Sequence, residues 1–204
     1  MKKICVYCAS STGNDPAFGA AAQRLAEALV NHDLGLVYGG ASVGIMGALA
    51  NAVMQKGGEV TGIIPQALLR REIGNHHLTE LQIVDSMHER KAAMADQADA
   101  FIALPGGMGT LEELFEILTW AQLGFHHKPV GLLNVNGYYD HLVAFLAHSV
   151  DKGLLKPEHR ELLLVDDNAD ALLERFVDWK SPPLEAWLEA SHQLEEPLAS
   201  PDHA

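Results

Sequence analysis

The residues with the most capacity for chemistry lie in one stretch, Pro105-Gly106-Gly107-Met108-Gly109-Thr110-Leu111-Glu112-Glu113. It follows the apolar run Ala100 to Leu104 and opens a long helical pattern, so it reads as strand, turn, helix. Three glycines in four positions permit a sharp turn and carry no Cβ to hold a ligand away from the backbone N–H groups, which suits a phosphate. Glu113 falls about one turn inside the helix, at the end whose dipole favours anions. The combination is an anion cradle with a carboxylate beside it, fit for a phosphorylated molecule whose chemistry needs an acid or a base. Upstream, Arg90-Lys91 supplies two cations at the start of another helical pattern, which Ser86 and Glu89 open with capping-box spacing.

Other reactive side chains point to less. Cys5 and Cys8 form a C-x-x-C, yet they sit in the strand-like Ile4-Cys5-Val6-Tyr7-Cys8, where residues three apart face opposite sides, and no second C-x-x-C completes a zinc site. The histidine pairs His76-His77 and His126-His127 lack metal-ligand spacing, so no metal and no cofactor are expected. A lysine Schiff base would need a buried, shifted lysine. Only Lys91 lies near the crevice, and beside Arg90 it reads more simply as phosphate recognition.

These residues need a scaffold, and 204 residues with 48% apolar content are enough for one domain with a real core. A formal charge of −13 argues against nucleic acid, since no long basic face can release counterions. No run reaches the roughly 20 apolar residues of a membrane span, and Met1-Lys2-Lys3-Ile4 passes straight into a strand, so a cytoplasmic protein is expected.

Strand-like and helical patterns alternate along the chain. Strands are expected at Lys3 to Ala9, Leu34 to Tyr38, Glu59 to Pro65, Leu81 to Val84, Ala100 to Leu104, Pro129 to Val135 and Leu162 to Val165. Helical patterns follow, among them Ala17 to Asn31, Thr110 to Leu123, Tyr138 to Lys152 and Ala169 to Trp179. This predicts an α/β fold, Rossmann-like and doubly wound, with a mostly parallel sheet of about seven strands and helices on both faces. The domain is expected over 1–180, and Pro182-Pro183 marks its boundary with an acidic tail over 181–204, either a short helix or disordered. In such sheets ligands bind at the carboxyl ends of the strands. Ser10, Gly39-Gly40, the Arg90 helix start and the Pro105 turn all fall there, so four segments converge on one crevice. The connection from Gln66 to Thr79 is long and carries Arg71 and Glu72, which become candidates, although position alone equally suits a solvated charged loop.

A dinucleotide oxidoreductase is disfavoured, because the glycine fingerprint sits on the fifth strand with Glu112 where a glycine is required, and no acidic residue ends the second strand. No P-loop is present. The signature Pro105-Gly106-Gly107-Met108-Gly109-Thr110-Leu111-Glu112-Glu113 and the upstream Met87-His88-Glu89-Arg90-Lys91 resemble the two motifs of the LOG ("lonely guy") family, over roughly the first 180 residues. Many members have been labelled lysine decarboxylases, against the lysine argument above. The resemblance implies a nucleoside 5′-monophosphate phosphoribohydrolase that cuts the N-glycosidic bond of AMP or of N6-substituted cytokinin riboside monophosphates, acting as a homodimer. It implies Arg90 and Glu113 as the catalytic pair. Glu72, Lys91, Gly106, Gly107, Met108, Gly109, Thr110, Leu111, Glu112 and Thr119 would contact substrate; Ser10, Gly39 and Gly40 join them from their strand ends. The alternative is a nucleotide or molybdenum-cofactor carrier without hydrolytic activity, as a related fold serves in such carriers, and Glu113 within the intact signature favours the enzyme.

Breaking a ribosyl C–N bond puts positive charge on the sugar and negative charge on the departing base, so a carboxylate near one and a cation or proton donor near the other both help. Glu113 suits the sugar or the attacking water; Arg90 suits the base, the carboxylate or the phosphate.

Overall fold

Short apolar runs become strands, and most are followed by a helix whose apolar stripe covers one side of the sheet. The computed structural model describes residues 1–69 and 74–182. In chain order the strands are β1 (Lys3–Tyr7), β2 (Gly35–Tyr38), β3 (Val60–Pro65), β4 (Glu80–Val84), β5 (Ala100–Ala103), β6 (Val130–Leu133) and β7 (Leu163–Asp166). The helices are α1 (Pro16–Asn31), α2 (Gly44–Gln55), α3 (Gln66–Leu69), α4 (Met87–Gln97), α5 (Met108–Gln122), α6 (Asp140–Asp151), α7 (Pro157–Arg160) and α8 (Ala169–Val177), with a 3₁₀ turn at Val135–Gly137.

The strands form one sheet in the order β4-β3-β2-β1-β5-β6-β7, and every neighbouring pair is parallel. Chain order reverses direction at β1, whose two neighbours are β2 and β5. That is the topological switch point, where the loops leaving β1 and β5 must part to opposite faces and open a crevice.

Alternation along each strand builds two cores. Ile4 and Val6 of β1 join Leu25 and Leu29 of α1, Leu49 and Val53 of α2 and Leu172 of α8 on one face. Cys5 and Tyr7 join Met94 of α4, Leu114 and Ile117 of α5 and Leu146 of α6 on the other. The fold is thus doubly wound, and Cys5 and Cys8 lie in different cores as their spacing requires. In α1 the buried residues Ala21, Ala22, Leu25, Ala26 and Leu29 recur at helical spacing, and full burial of each leucine contributes about 2 kcal/mol.

Helix starts are set locally. Asp15 caps α1 by accepting from Ala17 N–H at 2.8 Å, with Pro16 in the first turn. Ser86 accepts from Glu89 N–H at 3.1 Å, and the Glu89 carboxylate reaches Asp85 N–H at 3.0 Å, one residue before the partner of an ordinary capping box. The helical pattern expected from Tyr138 begins instead at Asp140, because Asn136 and Gly137 both adopt positive φ and break it.

Candidate active site

At the switch point a cleft of about 370 Å³ opens between the segments that follow β1 and β5. Ser10 and Ser11 line it from the β1 loop, Gly39 from the end of β2, Arg90 from α4, and Gly107 to Thr110 with Glu112 and Glu113 from the start of α5. Four chain segments distant in sequence therefore meet at one place.

Arg90 is the buried charge of the site, only 5% exposed. Its Nη2 donates to the Gly39 carbonyl at 3.2 Å and its Nη1 approaches the Met87 sulfur at 3.7 Å. A Cβ at position 39 would stand 1.9 Å from Nη2, so glycine is needed there to admit the guanidinium, not to bend the chain. Arg90 Nε is buried and has no hydrogen-bond partner among the described residues. A buried donor without a partner is costly and is explained when a ligand supplies the acceptor.

Opposite Arg90 lies the N-terminus of α5. Gly107 is the cap residue and supplies no side-chain hydrogen bond, so the first-turn N–H groups stand without the cap that Asp15 and Ser86 give to α1 and α4. None of Gly106, Gly107 and Gly109 has positive φ, so the turn is not what demands glycine. Space demands it at Gly106, where a Cβ would lie 2.1 Å from Thr110 Oγ1; at Gly107 and Gly109 a Cβ would meet nothing within 4 Å. The second glycine-rich turn differs. A Cβ at Gly44 would strike the Ser10 carbonyl carbon at 2.2 Å, and the N–H groups of Ile45 and Met46 donate to Ser11 and Ala9 carbonyls. The start of α2 is taken up in bracing the β1 loop, whereas the start of α5 has no side-chain cap.

Neighbouring glutamates diverge as helical geometry requires. Glu112 is exposed and its carboxylate accepts from Lys91 Nζ at 2.6 Å; Glu113 is partly buried at the cleft wall. Burial, and then the Glu113 charge, push the Cys8 thiol far up, and Tyr7 is raised by burial, by Cys5 and by Glu113. Both stay protonated near neutrality, and both mark how close the Glu113 charge lies to the end of β1.

Several expected residues stand elsewhere. Lys91 Nζ is held by Glu112 and by Glu116 at 2.8 Å, bridging α4 to α5. Gly40 has φ of +77° and packs on Ile64 and Leu81 while its carbonyl accepts from Asn75 N–H. Gly106 lies behind the cleft wall, Leu111 packs on the core below α5, and Thr119 lies further along α5 in a groove with Phe115, Leu146 and Leu155. Glu72 and the acidic tail from 183 onward lie outside the described residues. Sequence reasoning missed the apolar side of the cleft, formed by Met46, Met87, Met94 and Leu68. A methionine in a helical pattern carries no mark that separates cleft from core. Among the described residues no cluster of His, Cys, Asp or Glu is placed to hold a metal, and no helix is long and apolar enough to cross a membrane.

Fold and cleft together define an α/β protein with a switch-point cleft at an uncapped helix start. Residues 46–176 match the family model described as "Possible lysine decarboxylase". Two cytokinin riboside 5′-monophosphate phosphoribohydrolases of Arabidopsis thaliana are similar, one 50% identical over 88% of this chain and 83% of the relative, the other 51% identical over 88% and 84%. The chain belongs to the LOG family. In fold it is also similar to the molybdenum-cofactor carrier protein of Chlamydomonas reinhardtii, at 18% identity and TM-score 0.64 over 87% of this chain and 98% of that one. The molybdenum cofactor binding protein of Rippkaea orientalis is alike at 20% identity and TM-score 0.66, over 87% and 97%.

Proposed function

We propose that this protein hydrolyses the N-glycosidic bond of adenine nucleoside 5′-monophosphates, AMP, N6-substituted cytokinin riboside monophosphates or both, releasing free base and ribose 5-phosphate. The carrying observation is that Arg90 and Glu113 line the same cleft as the uncapped start of α5. The names of relatives at about half identity support the same reaction. The likeness to molybdenum-cofactor carriers, at 18–20% identity, carries the fold alone.

The phosphate sits at the α5 N-terminus, where Met108, Gly109 and Thr110 contribute N–H groups and helix dipole. The ribose then lies along the first turn of α5, within reach of Glu113. Water adds its oxygen to the anomeric carbon as the bond to the base breaks; Glu113 stabilises the cationic sugar or takes the water proton, and the departing nitrogen gains a proton. Arg90 holds charge at the opposite wall, where its unpartnered Nε offers a donor. Met46, Met87 and Met94 give the base an adaptable apolar surface. Lys91 acts from the cleft rim through Glu112, and Glu72 belongs to the proposed contacts on motif position.

The same reading includes a homodimer in the cytoplasm. Phe115, Phe125, Phe145 and Leu154 are exposed on or beside α5 and α6, where Leu146 is the only residue of α6 that is buried, and this apolar surface suits a second copy. Two unpaired buried cysteines accord with a reducing compartment.

Purified protein incubated with AMP, isopentenyladenosine monophosphate and the matching nucleosides should release base from the monophosphates, as followed by chromatography. Absence of free base from every monophosphate sinks the hydrolase.

A further inference from the structure

The turn that precedes α5 is held from behind by two adjacent tyrosines. Tyr138 O–H donates to the Gly106 carbonyl at 2.8 Å, and Tyr139 O–H donates to the Leu104 carbonyl at 2.7 Å. Tyr138 is itself fixed, its ring edge-on to Phe18 at 5.4 Å and to Tyr139 at 4.8 Å. The loop that presents the pair is over-determined. Asn136 and Gly137 take positive φ, Asn134 Nδ2 donates to Asp140, Asn134 Oδ1 accepts from Tyr139 N–H, and Asn136 Nδ2 donates to Asp15, the cap of α1. Such a cost in backbone conformation persists where the surroundings enforce it.

The two hydroxyls do different things to the turn. No peptide bond here is cis, and in a trans peptide the C=O and the following N–H point in opposite directions within one plane. Pinning the Gly106 carbonyl from the Tyr138 side therefore directs Gly107 N–H away from Tyr138. Gly107 lines the main cleft whereas Tyr138 does not. The peptide that Tyr139 pins through Leu104 ends in Pro105, which has no N–H to aim. Tyr139 therefore holds the turn without orienting a donor N–H.

We infer that Tyr138 is a positioning residue that aims Gly107 N–H into the cleft as a phosphate donor, additional to the first-turn N–H groups of α5, while Tyr139 only supports the turn. The inference rests on the phosphate site proposed above. It also assigns a task to the strained 134–140 loop, which approaches the site from β6 and carries no side chain into the main cleft.

Calorimetric titration of the full chain with ribose 5-phosphate, and separately with adenine, tests it on wild type, Tyr138→Phe and Tyr139→Phe. Tyr138→Phe should weaken ribose 5-phosphate binding by about three- to tenfold, the loss of one hydrogen bond, with adenine affinity unchanged. Tyr139→Phe should lower Tm and leave both affinities within about twofold. The Gly107 amide proton should shift on ribose 5-phosphate addition in wild type and shift less in Tyr138→Phe, a readout that lost stability does not move. Equal affinities in wild type and Tyr138→Phe, or equal losses from both variants, overturn the inference. Wild-type protein that binds adenine but no ribose 5-phosphate overturns the phosphate site itself and the inference with it.

Discussion

At the scale of residues, the glycines of this site act through the space they leave more than through the angles they allow. Gly39 is bare because Arg90 Nη2 would stand 1.9 Å from its Cβ, and Gly107 is bare beside open cleft. The two predict different failures. Gly39→Ala displaces a buried guanidinium and should lower kcat/KM by on the order of 10² while Tm changes little, since the guanidinium end can shift. Gly107→Ala adds a methyl group to a residue that lines the cleft and should raise KM for the monophosphate about tenfold with Tm within about 3 °C of wild type. Steady-state kinetics with thermal melts separate them; a Gly107→Ala protein with unchanged KM would remove the cradle from that position. The signature from Pro105 to Glu113 and the Arg90 start of α4 were legible as chemistry because charged and glycine residues mark strand ends. The methionine wall and the two tyrosines were not, since Met87 and Tyr138 look like ordinary members of helical patterns until the chain is folded.

At the scale of elements, the alternation of apolar runs and helical stripes made the seven strands readable, because a buried parallel strand has few polar residues to obscure it. Their order was not readable: nothing in local sequence says that β5 inserts beside β1. The short α3 and α7 were unread as well, each being one turn of helix inside a connection. The connection between α5 and β6 has its own physical test. His126 Nε2 donates to the Ile117 carbonyl at 2.9 Å while its Nδ1 accepts from Lys128 N–H at 3.1 Å, so the neutral ring is the one that fits. Burial chiefly, aided by Lys128 and His127, lowers its pKa below the ordinary 6.5, and the Ile117 hydrogen bond opposes this. A depressed folded-state pKa means that this stability is complete above about pH 6.5 and is lost as pH falls through the folded value. Melts from pH 8 to pH 5 should show Tm falling on the acid side, less steeply in His126→Gln; parallel curves for both proteins would show that His126 carries none of the slope. His159, lowered chiefly by its burial, adds a contribution of the same sign.

At the scale of the whole molecule, the acidic balance of −13 and the switch-point cleft agree on a small anionic substrate held by local dipoles and by Arg90, the arginine buried there, not by a basic surface. The apolar residues left on α5 and α6 belong to this scale too. Sedimentation should give a particle of twice the 22.1 kDa chain mass, and Phe145→Glu, which places a charge on a side chain 62% exposed, should shift it toward one chain without unfolding it. A wild-type monomer at micromolar concentration would leave that face without the proposed partner.

The measurement that bears most directly on the whole account is kcat/KM for AMP and for adenosine, taken with wild type and Glu113→Gln. Adenine and ribose 5-phosphate should appear from AMP with wild type, adenosine should be cleaved far more slowly, and Glu113→Gln should cut turnover of AMP by on the order of 10²–10⁴ with AMP binding retained. Equal cleavage of AMP and adenosine, or a Glu113→Gln protein as fast as wild type, would contradict it.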